Sequence, residues 1–409
     1  MDASAAAARR VNGLVGHLQG QGALVGPAGD SPDDIVVVAA LRTPMTKARR
    51  GGLKDVPPEE LMSAVLKAVL DRTSVRGEEV GDIVVGSVLG SGSQRATEVR
   101  MGGFLAGLPE TVPVRLVNRQ CSSGLQAIAD VAASIKAGYY DIGIAGGIET
   151  MSINPMDWKG DISPASVMHE QARSCLLPMG ITSENVAARW GIDRDTMDAF
   201  AATSHAKAAA AQASGRFAAE IVPVRGLDKD DGIRAGTTPE SLAKLKPAFM
   251  PKGTTTAGNA SQVTDGAAAV LLMRRSEAQR RGLKVLGVLR SFAVVGCDPA
   301  VMGIGPAVAI PEAVKRAGIA ISDLDVVELN EAFASQATYC INKLGLDPAK
   351  VNPNGGAIAL GHPLGCTGAR CTATLLHEMA KRPGARYGAV SMCIGTGMGA
   401  AAVFEVPSA

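Results

Sequence analysis

The chain reads as an α/β protein built from two related halves, with a separate segment inserted into the first. Three observations predict this. The 409 residues are 46% apolar but only 3% aromatic, with 48 glycines. That length suits two or three domains with sizeable cores. Small residues in place of aromatics suit helices packed closely on parallel sheets, whose strands read as continuous apolar runs. Secondly, a series of matched points occurs twice in the same order. Glu79-Val-Gly-Asp-Ile-Val-Val85 resembles Asp323-Leu-Asp-Val-Val327, each an acidic turn leading into a strand. Val117-Asn118 precedes Cys121 and a helix, and Val351-Asn352 precedes a glycine segment around His362 and another helix. Each half then closes on a strand, Asp141-Ile-Gly-Ile-Ala145 and Tyr387-Gly-Ala-Val-Ser391. Thirdly, 154–263 is richer in Ala and Asp, is irregular and does not join the repeat. It reads as a lid with its own helices, Ser183 to Trp190 and Thr196 to Ala213. A crevice between two pseudo-equivalent sheets, near strand ends, is where a ligand is expected.

Taken in order, the apolar run Val112-Pro-Val-Arg-Leu-Val117 is a strand entering a core. After it Leu125, Ile128, Ala129, Ala132 and Ile135 recur at helical spacing, so a helix begins near Ser122. Cys121 then sits at a strand-to-helix turn, at the positive end of a helix dipole, where a thiolate is favoured. Gly124 admits a close neighbour. A single cysteine is more often a small packed apolar residue than a nucleophile. The company of three further segments reverses that reading here. Asn330-Glu-Ala-Phe333 follows the strand Leu324–Leu329, where an Asn alone would be a turn or cap residue. His362 lies between Gly361 and Pro363, so many glycines leaving its imidazole uncovered, and Pro363 suits the first turn of a helix. An unperturbed His titrates near neutrality and suits general base work. Of the other histidines, His205 and His377 fall in helical patterns as surface or partly packed residues, and His169 in a loop. Cys393, after a strand-like run, precedes Gly395, Gly397 and Gly399. Such a turn can cradle a phosphate, but its spacing fits neither dinucleotide nor P-loop fingerprints. A thiol presented beside free amides is the better reading.

The net charge of +2 argues against a polyanionic partner such as nucleic acid. The seven cysteines show neither metal-ligand spacing nor a disulfide framework, which fits a reducing or peroxide-handling interior compartment better than secretion. No apolar run approaches the length of a membrane span.

The four segments together, Asn118-Arg-Gln-Cys-Ser-Ser-Gly124, Asn330-Glu-Ala-Phe333, Gly361-His-Pro-Leu-Gly365 and Cys393-Ile-Gly-Thr-Gly397, resemble those of thiolases. The resemblance runs from about Asp34 to the C-terminus. It implies two repeated βαβαβαββ halves in an αβαβα layered arrangement, with sheets facing across central helices and an inserted loop domain covering coenzyme A. The corresponding divisions are a leader at 1–31, a first half at 32–153 completed by 264–286, a loop domain at 154–263 and a second half at 287–409. The resemblance further implies a 3-ketoacyl-CoA thiolase of fatty acid β-oxidation. In it Cys121 becomes the acyl-enzyme, His362 takes its proton, and Cys393 protonates the departing acetyl-CoA enolate. The developing negative charge is received by His362 with a water held by Asn330, and by the backbone N–H of Cys121 and Gly395. Met179 and Ser261 match CoA-contacting positions, and Phe333 lines the acyl end. Coenzyme A is a substrate, and no metal or redox cofactor is implied. An acetoacetyl-CoA thiolase working in the condensing direction is the same-chemistry alternative, and a non-catalytic acyl-CoA carrier the alternative of another class.

One departure from the resemblance is a short connection from Ile221-Val-Pro-Val224 to Asp231-Gly-Ile-Arg234, where relatives carry a longer excursion; it bears on the CoA-side contacts of the lid. Arg10-Val-Asn-Gly-Leu-Val-Gly-His-Leu18 resembles the type-2 peroxisomal targeting nonapeptide, read by an import receptor, in a leader expected to be disordered. Thiolases are dimers or dimers of dimers, and Ser87 to Gly107 is the expected contact. Cys175, shortly before Met179, is weighed as a redox partner of Cys121 against the plainer reading of a packed apolar residue.

Overall fold

The computed structural model describes residues 30–90, 93–158 and 160–407; the targeting nonapeptide at 10–18 lies outside them. The first half runs β1 (Ile35–Arg42), β2 (Thr46–Lys47), α1 (Pro58–Thr73), β3 (Asp82–Gly86), α2 (Gln94–Leu105), β4 (Val114–Val117), α3 (Ser123–Ala137) and β5 (Ile142–Thr150). The inserted segment follows, with α4 (Met179–Trp190) and α5 (Arg194–Ala213) as its longer helices, before β6 (Thr264–Arg274) returns to the first half. The second half runs β7 (Gly287–Gly296), α6 (Gly305–Ala317), β8 (Leu324–Leu329), α7 (Ala334–Leu344), α8 (Thr367–Met379), β9 (Tyr387–Ile394) and β10 (Met398–Glu405). Apart from β2, which the second half lacks among the described residues, the two halves follow the same order of elements. The counterpart of β4 in the second half is reduced to a parallel bridge between Val351 and Val327.

The strand order is β4-β3-β5-β6-β1-β7-β10-β9-β8, with β2 on β6, so the second half mirrors the first outward from the centre. In each half the crossover-connected strands pair in parallel (β3 with β4 and β5, β8 with β9) and the remainder antiparallel. The two halves are one continuous sheet, joined where β1 meets β7 through Val36–Val288 and Val37–Gly287. The sheets nevertheless face each other. Ile35, Val37 and Ala40 of β1 share a core with α3, α8 and strands of the second half, whereas Val36, Val38 and Leu41 point to the outer core under α1. A third core lies between the second half of the sheet and the outer helices α6 and α7. Five layers result, with α3 and α8 in the middle one. An alternating strand can serve two cores because successive side chains point to opposite faces.

The middle layer is closed by glycines. A Cβ on Gly124 would lie 2.7 Å from the Gly365 carbonyl oxygen and 2.8 Å from the Ala369 nitrogen, and one on Gly368 would lie 2.2 Å from the Leu125 nitrogen. The starts of α3 and α8 therefore cross backbone against backbone. Several expectations are corrected here. β4 is an edge strand, and its four residues are half-buried or exposed rather than entering a core. His362 does not open a helix: after one helical turn at Ala357–Leu360 the chain is irregular until α8 begins at Thr367. His205 is fully packed, with Nδ1 accepting from the Arg234 N–H.

The short connection closes on a tight turn in which the Val224 and Leu227 backbones bond reciprocally at 3.0 and 2.9 Å. Arg225 and Gly226 both take positive φ, 49° and 81°, the pattern of a type I′ turn. The chain then docks on the first half: Asp230 accepts from both terminal (Nη) guanidinium nitrogens of buried Arg42 at 2.7 and 3.0 Å and from the Met45 N–H at 2.7 Å. Arg42 also bonds Glu220 at 2.6 Å, so the base of the insert is held by a buried ionic cluster.

Gly124→Ala should force the α3–α8 crossing apart. The expected cost is about 1–3 kcal/mol of stability by overpacking, with loss of most activity because both loops of the site start there. A denaturant midpoint and turnover equal to the unsubstituted protein would show that the crossing tolerates the methyl group.

Candidate active site

Cys121 is delivered by an unusual turn. Gln120 adopts φ 47°, a conformation a non-glycine residue holds only when its surroundings impose it. Asn118 Oδ1 accepts the Gln120 N–H at 2.9 Å, and Ser123 Oγ accepts the Arg119 N–H at 2.9 Å while donating to the Gln120 carbonyl at 2.6 Å. Ser122 Oγ donates to the Arg119 carbonyl at 3.0 Å, so both serines hold the turn, and Cys121 is left at the head of α3, half-buried. The N–H groups of Gly395 and of Cys121 itself point at its sulfur. They favour the thiolate, as the helix dipole does, but burial outweighs them and pushes the thiol up. The thiolate favoured by the helix start is opposed here by desolvation, which weighs more than the two N–H groups.

His362 is likewise not the uncovered imidazole its glycines suggest. It is 5% exposed, and burial pushes it down to about 3 from 6.5. Gly361, at φ 104°, sets the loop; a Cβ there would meet Thr264. The His362 N–H donates to the Gln262 carbonyl at 2.9 Å. Its Nδ1 lies 2.5 Å from Thr367 Oγ1, and that hydroxyl donates its one proton to the Pro363 carbonyl at 3.0 Å. Thr367 consequently accepts from His362, which places the ring proton on Nδ1 and leaves Nε2 bare. Asn330 Nδ2 faces Nε2 at 3.4 Å. The Asn330 side chain is buried at the end of β8, its N–H bonded to Ser391, and its Oδ1 has no partner within the described residues.

Cys393, at the end of β9, is completely buried with Met302, Ala332 and Phe333, and Met179 and Ala260 pack on the same cluster. Burial pushes its thiol well above the usual range, and nearby Cys121 pushes it further. Met179 is the first residue of α4; a Cβ on Gly395 would lie 3.5 Å from its sulfur. Ser261 donates its N–H to the Ala332 carbonyl at 2.9 Å, and Ala260 bridges Phe333. The segment before it thus threads between the Asn330 and His362 loops. Among the predicted positions the structure joins Cys121 with Gly395 and Cys393, Cys393 with Phe333 and Met179, and Asn330 with His362. Cys175 is nearby: its sulfur donates toward the Thr396 carbonyl at 3.8 Å, in the turn that carries Gly395, and it is a free thiol like the other cysteines. Sequence reasoning missed Thr367, which sets the His362 tautomer, and Gln262, which holds the His362 backbone. It also missed Phe249, whose ring meets Phe333 edge-on at 6.3 Å between centroids. Thr367, in the turn opening α8, could have been found by asking what satisfies the second ring nitrogen.

The family profile described as the thiolase N-terminal domain matches residues 35–276, and that of the thiolase C-terminal domain matches 283–406. The chain belongs to the thiolase family. Among curated thiolases, it is 63% identical over 388 residues to the Arabidopsis thaliana "3-ketoacyl-CoA thiolase 2, peroxisomal", covering 91% of this chain and 84% of that protein. It is 58% identical over 390 residues to the Rattus norvegicus "3-ketoacyl-CoA thiolase B, peroxisomal", covering 92% of each. Among solved thiolase structures, the dimeric peroxisomal thiolase of Saccharomyces cerevisiae superimposes with a TM-score of 0.88 at 46% identity, over 93% of this chain and 99% of that one. Human mitochondrial 3-ketoacyl-CoA thiolase in complex with CoA does so with a TM-score of 0.84 at 38% identity, over 92% and 99%.

The depressed His362 gives a signed pH prediction. Between about 6.5 and 3 the unfolded chain binds a proton at this residue and the folded chain does not, so its contribution to stability is lost as pH falls through that window. Denaturation of His362→Asn across the same range should show a weaker acid dependence than the unsubstituted protein. Parallel curves would mean that His362 is protonated normally in the fold.

Proposed function

We propose that the protein catalyses CoA-dependent thiolytic cleavage of 3-ketoacyl-CoA to acetyl-CoA and an acyl-CoA shortened by two carbons, in β-oxidation. The observation that carries this reading is the meeting of Cys121, the Gly395 N–H and Cys393 beside the Asn330–His362 pair, in a chain 63% identical to a 3-ketoacyl-CoA thiolase. The directions of the shifts suit the steps: burial favours the thiols of Cys121 and Cys393 and the neutral ring of His362. Cys121 rests as a thiol, so a base must act at the moment of attack. Neutral His362, with Nε2 bare, is that base. As Cys121 adds to the 3-keto carbonyl, oxyanion charge falls on preorganised donors; breaking the carbon–carbon bond then passes charge to the acetyl-CoA enolate, which the Cys393 thiol protonates. Burial keeps Cys393 in the acid form this step uses. The thiol of a second CoA, losing its proton to His362 or Cys393, attacks the thioester and releases the shortened acyl-CoA. Each oxyanion donor of this kind contributes about 10²–10³ in rate.

Met179, Ser261 and Phe333 are assigned to the pantetheine and acyl side, with Phe249 added by its contact with Phe333. Coenzyme A is the only small molecule besides the acyl group that this chemistry uses. The peroxisomal names of the plant and rat relatives support peroxisomal action, and residues 10–18 are assigned to the import receptor. For the homodimer, the dimeric yeast structure is joined by two features of this chain: β4 is a free edge, and α2 exposes Met101, Phe104 and Leu105. Among the described residues no helix is long and apolar enough to cross a membrane.

The condensing alternative shares the fold, since an acetyl-CoA acetyltransferase of Bacillus anthracis superimposes with a TM-score of 0.83. Relative kcat/KM across acyl lengths separates the two. Preference for chains longer than four carbons is expected, and strong preference for the four-carbon substrate would replace the degradative assignment. Cys121→Ala should lose turnover while still binding CoA; normal turnover would remove Cys121 as nucleophile.

Cys175 is proposed as a redox partner of Cys121. Hydrogen peroxide would take two electrons and two protons from the two thiols, giving one disulfide and two waters. Mild peroxide followed by peptide mapping should yield a linked Cys121–Cys175 pair with activity restored by dithiothreitol. Irreversible loss, or no such pair, leaves Cys175 a packing residue.

A further inference from the structure

The internal repeat extends into the site itself. Both halves carry Gly-Ala-Ala-Ala-Val in their last strand, Gly266–Val270 in β6 and Gly399–Val403 in β10. In the sheet Gly266 is opposite Glu149, and Gly399 is opposite Cys393. Glu149 thus stands in the first half where Cys393 stands in the second. The same correspondence follows at the central crossing, where Gly124 faces Ala369 and Gly368 faces Leu125, each glycine meeting the residue after the other. Three positions before Gly124 is Cys121, and three before Gly368 is Gly365. Gly86 pairs with Gly147, and Leu329 with Ser391, so Ser87 corresponds to Asn330.

The mate of the catalytic cluster is therefore Gly365, Glu149 and Ser87, and these are in contact. Glu149 is inaccessible to solvent and accepts from the Gly365 N–H at 2.9 Å, Ser87 Oγ at 3.1 Å, the Val88 N–H at 2.9 Å and the Leu89 N–H at 3.1 Å. Three of these partners are N–H groups, which can only donate. Where one half presents a thiol to substrate, the other has a carboxylate filling the equivalent space, against the loop that carries His362.

We propose that Glu149 is a positioning residue for His362: its carboxylate clamps the 362–365 loop to the half that bears Cys121 and sets how far Nε2 stands from the thiol. The reading rests on His362 as the base of thiolysis. A negative charge on Glu149 raises the Cys121 thiol, though less than burial does; burial raises Glu149 itself, and the Gly365, Leu89 and Val88 N–H groups oppose that. The other groups facing Glu149 are Arg95 of α2, whose charge opposes its burial, and Cys366 just before α8.

Glu149→Gln keeps the shape and removes the charge and part of the acceptor capacity. Expected are a kcat at least tenfold lower, a KM for CoA within twofold, and a Cys121 iodoacetamide-alkylation profile whose midpoint moves to lower pH. A lesion that merely unpacks the site would also lower the denaturant midpoint, whereas loss of the charge alone shifts the alkylation profile at an unchanged denaturant midpoint. The proposal is overturned by a folded Glu149→Gln protein with kcat within twofold of the unsubstituted enzyme, or with lost kcat and an unmoved alkylation midpoint. Should that variant fail to fold, Ser87→Ala decides. It removes one of four hydrogen bonds, and should lower kcat two- to fivefold and speed amide exchange in the peptide covering 361–366; no change in either overturns the proposal. Failure of the thiolase reading is distinguishable, since the unsubstituted protein would then show no thiolysis at all.

Discussion

Backbone-to-backbone crossing of α3 and α8 is the constraint on which the rest depends. Gly124 and Gly368 bring the two helix starts closer than any side chain would allow. That closeness draws the Cys121 turn and the His362 loop, from opposite halves of the chain, into one crevice. The five layers are then fixed by geometry: the halves of the sheet must lie on either side of this pair, and β1 must serve an inner and an outer core at once. Dense packing of small residues leaves little freedom to rearrange, because interiors transmit strain rather than absorb it.

The same burial governs the electrostatics. Cys121 and Cys393 are pushed up and His362 is pushed down, each toward its neutral form. A site that rests neutral avoids the cost of three desolvated charges. Thr367 completes this arrangement by holding the proton of His362 on Nδ1, so the nitrogen turned toward Asn330 is the one able to accept. The insert closes the site from the other side. Its base is anchored by Asp230 and Glu220 on Arg42, and its helix α4 places Met179 against Gly395. The short connection ends in the Val224–Leu227 turn and is bonded to the first half through Val222 to Arg42 and Asp231 to Met45.

By itself the sequence determined the two-half α/β plan and singled out Cys121, Asn330, His362 and Cys393 as the groups to which the chemistry is assigned. Glycines beside Cys121, His362 and Cys393, and matched strand–helix orders, are local signals that survive without coordinates. The helices predicted from Ser183 and Thr196 lie within α4 and α5, since their periodicity is long and regular. Only the tertiary structure decided the charge states, because a helix dipole is readable from a turn whereas desolvation depends on what else is packed there. It alone showed β4 to be an edge strand and His205 to be packed, since an apolar run or a histidine does not reveal its neighbours. It also joined the two halves into one sheet through β1 and β7, a contact between residues some 250 positions apart that no local pattern encodes. Glu149 shows the same limit: its four donors come from two other segments, and only the fold brings them to one carboxylate.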